Sequence, residues 1–204
     1  CKYFLNIEYL YKKKLIAMNK SLKWIIIGVA TVLVLGYIAL QVMQYQTKKL
    51  SPEDTVVYDN GHLNLEIFYN RPYKKGRTIF GDLVPYNETW RTGANEQTTF
   101  TTNKNILVDG SLLEAGEYSL FTVPKEESWE IVFNNRAYSW GADWQTGKAP
   151  RIEKFDELVV EVPVNKNFKV TEQFTIDFKE SENLILVLFS WDDVVVSLPI
   201  TSAK

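Results

Sequence analysis

Cysteine is almost missing from this 204-residue chain: Cys1 is the only one. A lone thiol cannot form an internal disulfide, so any folded part must be held by an apolar core. Cys1 also precedes the apolar segment, whereas a lipidated cysteine would follow one. Histidine is as scarce, with His62 alone. That excludes a histidine-rich metal site, and a Ser-His-Asp or Cys-His arrangement would have to use this residue. Internal repeats and low-complexity segments are lacking. So is, after Thr55, any window of ten or more residues with a capped 3.6-residue apolar period, which disfavours parallel βαβ architecture. The acidic pairs Asp192-Asp193 and Glu126-Glu127 are too sparse in oxygen ligands for a calcium loop and read as turns. No metal and no cofactor is expected.

What the chain does have is one long apolar block. Residues 24–42 read WIIIGVATVLVLGYIALQV without a charge, enough at about 1.5 Å per residue to cross a hydrocarbon core about 30 Å thick. A secretory h-region is shorter and ends at a small-x-small site, but Gln41, Met43 and Gln44 follow here, so the block reads as an uncleaved anchor. Lys12, Lys13, Lys14, Lys20 and Lys23 precede it, while Lys48 and Lys49 follow and lead into Glu53 and Asp54. The positive flank places the N-terminus in the cytoplasm and the rest across the membrane. Met18 opens a compact basic segment directly before the block and is the expected start of the chain. The expected division is a cytoplasmic segment 1–23, an anchor 24–42, a tether 43–54 ended by Ser51-Pro52, a β domain 55–200 and a tail 201–204.

The overall charge of −2 conceals a split: residues 1–50 carry 8 basic and 1 acidic side chains, and residues 51–204 carry 15 basic and 24 acidic, a net of −9. An acidic outer domain argues against a nucleic-acid partner, because phosphate neutralisation needs a basic face.

From Thr55 onward the pattern alternates. Leu63, Leu65, Ile67 and Tyr69 fall on one face and Asn64, Glu66 and Phe68 on the other, a half-buried strand. The same reading fits 98–102, 106–109, 118–123, 129–133, 158–164, 174–178, 184–191 and 194–200. Turn signals lie between them at Asp59-Asn60-Gly61, Asp109-Gly110, Ala115-Gly116, Asn134-Asn135 and Trp191-Asp192-Asp193. The solid apolar runs 184–189 and 194–196 read as central strands buried on both faces. The fold class is therefore all-β, an antiparallel β-sandwich or jelly roll preceded by one N-terminal transmembrane helix.

The densest mixture of functional groups is residues 74–96, KKGRTIFGDLVPYNETWRTGANE. Arg77, Trp90, Arg91, Asn95 and Glu96 offer donors, acceptors and a stacking face within a short reach, which suits a small polar, anionic or saccharide-like ligand. The competing reading is a structural or interaction module of the envelope, in which this segment is internally paired, Arg91 with Glu96 or Asp82, to brace a loop. Trp140 and Trp144, in AYSWGADWQTG, form either a second aromatic platform or a cap on one end of the fold. As catalytic candidates Glu96 and His62 remain: Glu88 and Glu96 are the acids nearest Trp90, and a hydrolase would need Glu96 exposed in a cleft. His62, at a strand start after Gly61, otherwise reads as a solvent-facing hairpin residue.

Residues 51–200 resemble an uncharacterised bacterial domain-of-unknown-function family, the one numbered 2911. The matching pieces are RPYKKGRTIFGDLVPYNETWRTGANEQTTFT, VDGSLLEAGEYSLFTVP, WEIVFNN followed by WGADW, QFTIDF and the closing VSLPI. The resemblance implies a secreted or membrane-attached envelope domain of β type and no established activity. Together with the flanking charges it implies an inner-membrane protein with a periplasmic β domain.

Overall fold

The computed structural model describes residues 19–181 and 184–203. Cys1 and the expected start at Met18 lie outside them. The chain divides into two units, residues 1–46 and 47–204. α1 (Lys20–Leu50) forms nearly all of the described part of the first unit and ends, at residues 47–50, in the second; it is apolar and exposed along its length, with a mean hydropathy of 2.4 over its best window. A helix that is apolar all round and unburied has the character of a membrane span. It runs on to Leu50, so the expected tether 43–54 is not an irregular linker. Lys48 and Lys49 complement the carbonyl end of the helix, and Ser51-Pro52 stops it.

The second unit is a nine-stranded antiparallel sheet in the order β1-β2-β3-β6-β7-β8-β9-β4-β5. The strands are β1 Glu53–Asp59, β2 Asn64–Asn70, β3 Thr99–Thr102, β4 Ile106–Val108, β5 Ser111–Leu113, β6 Gly116–Pro124, β7 Ser128–Asn134, β8 Asp156–Ser181 and β9 Leu184–Ser202. The sequence pattern missed β1 and β5 and divided β8 and β9 in two. β1 half-buries Asp54, Val56 and Tyr58, only the last two of them apolar, too weak an alternation to stand out, and the expected tail 201–204 is entered by β9. Within the β1–β2 turn the Asn60 side chain accepts the His62 and Leu63 amides at 3.1 and 2.9 Å, as an Asx turn does.

β9 is continuous through Trp191-Asp192-Asp193 because those residues make a bulge, not a hairpin. Asp192 is left-handed at φ 55, and the inward face changes from Ile185, Val187, Phe189 and Trp191 to Val194, Val196, Leu198 and Ile200. One inserted residue keeps both halves on the same core. β9 therefore buries one face, whereas β6 from Tyr118 to Pro124 and β7 from Ile131 to Asn134 are buried on both; on the second side of β6, Phe121 packs edge-on to Tyr138 and Ser119 Oγ donates to the Arg136 carbonyl.

β8 pairs with β7 over Asp156–Pro163 and with β9 from Val164 onward. Its edge released from β7 is stitched to the end of β2. The Tyr69 hydroxyl donates to the Ile176 carbonyl at 3.2 Å and accepts the Ile176 amide at 2.9 Å. Arg71 donates to Phe174 O and Thr175 Oγ1. Side chains here replace a missing strand neighbour.

Burial pushes the Tyr69 phenol up to about 12, with the hydrogen bond to Ile176 acting the other way. An unfolded tyrosine ionises near 10. Between about pH 10 and about pH 12 the folded state therefore binds more protons than the unfolded state, and stability falls as pH rises; below that window the contribution is constant. Tyr69→Phe is expected to cost about 1–2 kcal/mol at neutral pH, through the lost hydrogen bonds, and to flatten the decline. Urea midpoints of both chains across that range check this, and equal slopes would place the alkaline sensitivity elsewhere.

Candidate functional site

The connection 71–98 between β2 and β3 carries the site. It is fastened to β6 by paired backbone bonds, Trp90 N to Thr122 O at 2.7 Å and Thr122 N to Trp90 O at 3.0 Å. Thr92 holds a left-handed conformation at φ 56, uncommon for a β-branched residue. Its carbonyl accepts Thr98 Oγ1 at 2.8 Å and its hydroxyl donates to Thr122 Oγ1 at 3.2 Å. Such over-determination by the surroundings is what sustains strained backbone.

A cavity of about 480 Å³ opens against this connection. Arg77, Trp90, Arg91 and Asn95 line it, so four of the five expected ligand-binding residues converge; Glu96 does not line it. Lys75, Tyr73, Leu83, Trp191 and the residues Thr47, Leu50 and Ser51 complete much of the wall and were not singled out by sequence. Lys75 stood beside the chosen Arg77 in the basic cluster 74–77. Trp191 and the end of α1 are distant in sequence, and nothing in a linear pattern links them to the cavity.

Trp90 is chiefly a core residue. Its ring stacks on Trp191 at 5.8 Å and 17° and meets Phe174 at 4.9 Å and Trp129 at 6.0 Å. Its indole N–H donates to Gly93 O at 3.1 Å. Only its remaining edge is available to the cavity. Asn95, left-handed at φ 54, gives its amide to Thr47 O, Ser51 O and Asn70 Oδ1 at 3.3 to 3.4 Å. It thereby ties the connection to backbone carbonyls at and just past the helix end. Glu96 pairs with Lys48 at 3.0 Å and accepts the Asn70 amide at 3.2 Å. These two residues brace the segment.

Arg91 behaves differently. The expected ion pair with Glu96 or Asp82 does not form, and among the described residues its guanidinium makes no hydrogen bond and no ion pair. Burial pushes its pKa down, because desolvation penalises an uncompensated charge. Its methylene stem lies on Gly141, where an added Cβ would come within 2.6 Å of Arg91 Cδ. The Gly141 amide donates to Asn95 O at 2.9 Å. Arg91 also lines a second, smaller cavity of about 240 Å³, bounded by Glu88, Pro85 and residues 146–149. Arg77 folds back on its own turn, donating to Lys74 O at 3.0 Å and to Tyr73 O.

His62 is exposed in the β1–β2 turn and lines none of these cavities. Trp144 is exposed by 87% and caps nothing, whereas Trp140 is exposed by only 36%. Asp143 holds the loop's shape, accepting the Gln145 and Thr146 amides at 3.0 and 2.8 Å. Those bonds pull the Asp143 carboxyl below its ordinary value, Thr146 contributing most. Among the described residues no group of three His, Cys, Asp or Glu side chains is placed to hold a metal ion.

Fold and site thus define an antiparallel β domain with a cation-lined cavity, carried on a chain with an apolar N-terminal helix. The chain belongs to the family described as protein of unknown function (DUF2911), whose model matches residues 51–200. No curated protein and no solved structure matches it.

Proposed function

We propose that this is a single-pass envelope protein, with its N-terminus cytoplasmic and its β domain outside, that binds an anionic ligand in the cavity beside Trp90. The observation that carries the reading is the charge of the wall. Lys75, Arg77 and Arg91 line the cavity, no acid does, and none of the three has a carboxylate in ion-pair range among the described residues. In a domain of net charge −9 such a concentration of unpaired cations favours a carboxylate or phosphate over a neutral sugar. A structural role explains Asn95 and Glu96, which are internally paired, but leaves Arg91 without a purpose. A hydrolase built on Glu96 or His62 has no observation in its favour, since neither lines the cavity.

Arg91→Met tests the reading. Methionine keeps the stem that packs on Gly141 and removes a desolvated charge, so stability is expected to rise by about 1 kcal/mol, roughly 2–4 °C in Tm. Binding of inorganic phosphate, followed by titration calorimetry on the full chain in phosphatidylcholine nanodiscs, should fall at least tenfold. A variant that loses several degrees and keeps its phosphate affinity would return Arg91 to a structural role.

A further inference from the structure

The cations occupy only part of the wall. Besides polar groups at Thr47, Ser51, Tyr73 and Asn95, the wall includes Leu50, Pro72, Leu83, Val84 and the two indoles Trp90 and Trp191, and apolar lining with a few converging polar groups is how sites orient a ligand of mixed character. A bare inorganic anion would leave this surface wet, whereas an apolar body would cover it and gain from leaving water. Trp191 adds an independent observation. It is 2% exposed, and its indole N–H has no partner, although buried indole donors ordinarily find one. Leu83 is 43% exposed and, with Val84, Trp90 and Arg91, lines both cavities.

We infer that the ligand is an amphiphilic anion, a phosphate or carboxylate head paired with Arg91 and an aliphatic body lying along Leu83, Val84 and the Trp90–Trp191 stack. This rests on the anion-binding reading above. Such chemistry is shared by soluble acyl or alkyl anions and by membrane lipids with an anionic head.

The test compares inorganic phosphate, octyl phosphate and 1-octanol as ligands of the full chain in phosphatidylcholine nanodiscs, with empty discs as the blank and tryptophan fluorescence as the readout. Octyl phosphate is expected to bind at least tenfold more tightly than inorganic phosphate, and both should be weakened by Arg91→Met. Leu83→Asn, at a position 43% exposed, should weaken octyl phosphate several-fold more than it weakens inorganic phosphate. Equal affinities for the two phosphates would overturn the amphiphile and leave the anion site standing. Octanol binding as tightly as octyl phosphate, or no phosphate bound by either chain, would overturn both. Discs containing phosphatidic acid separate the sources: competition with octyl phosphate supports a membrane lipid, and undiminished binding supports a soluble anion.

Discussion

Alanine in place of Trp90 is expected to destabilise the β domain by about 3 kcal/mol, at the low end of the range for a buried tryptophan because one edge borders the cavity. The indole stacks on Trp191 and stands edge-on to Phe174, Trp129 and Phe80, so its removal leaves four aromatic rings facing a void. For a domain of this size that is roughly 6–12 °C in Tm, read from near-ultraviolet dichroism of the full chain on heating. From sequence alone Trp90 reads as a ligand platform whose loss would spare stability. A cost below about 1 kcal/mol would restore that view and remove the aromatic cluster from the account of the core.

Gly93→Ala should be the most damaging small change near the site. Gly93 sits at φ +154, where an added Cβ would lie 2.8 Å from the Asn70 carbonyl oxygen and 3.2 Å from Thr98 Oγ1. The first obstacle is backbone and cannot swing aside. Asn70 is tied through its side chain to both Asn95 and Glu96, so pushing it away loosens the bonds that hold the cavity wall to residues 47–51. We expect a loss of about 2–4 kcal/mol. Gly110→Ala is the control: φ is +80 and nothing lies within 4 Å, leaving only the left-handed backbone cost of about 1 kcal/mol. Urea midpoints compare the two, and equal losses would mean that close approach at Gly93 carries no energy.

Much of the architecture was legible because it depends on local period. Leu65, Ile67 and Tyr69 alternate with polar neighbours and are buried as that alternation demands. The apolar run 24–42 is helical by the same logic. The site was half legible: a cluster of cations and aromatics in a glycine-bearing connection drew notice to Arg77, Trp90, Arg91 and Asn95, and these four do share a cavity. Their roles were not legible. Arg91 stands without an ion pair, while the Glu96 carboxylate pairs with Lys48, some forty residues earlier in the chain.

By itself, then, the sequence determined the antiparallel β class, the apolar helix and the segment that lines the cavity, since each follows from the spacing of residue types within a few turns or strands of one another. Tertiary structure alone decided that β8 and β9 run unbroken through their bulges, that Trp90 packs in an aromatic core, and that Trp191 and Lys75 join Arg91 around one cavity. Those outcomes depend on which distant groups compete for the same partner and on how a bulge resets the inward face of a strand, and both are settled by contacts that no local pattern encodes.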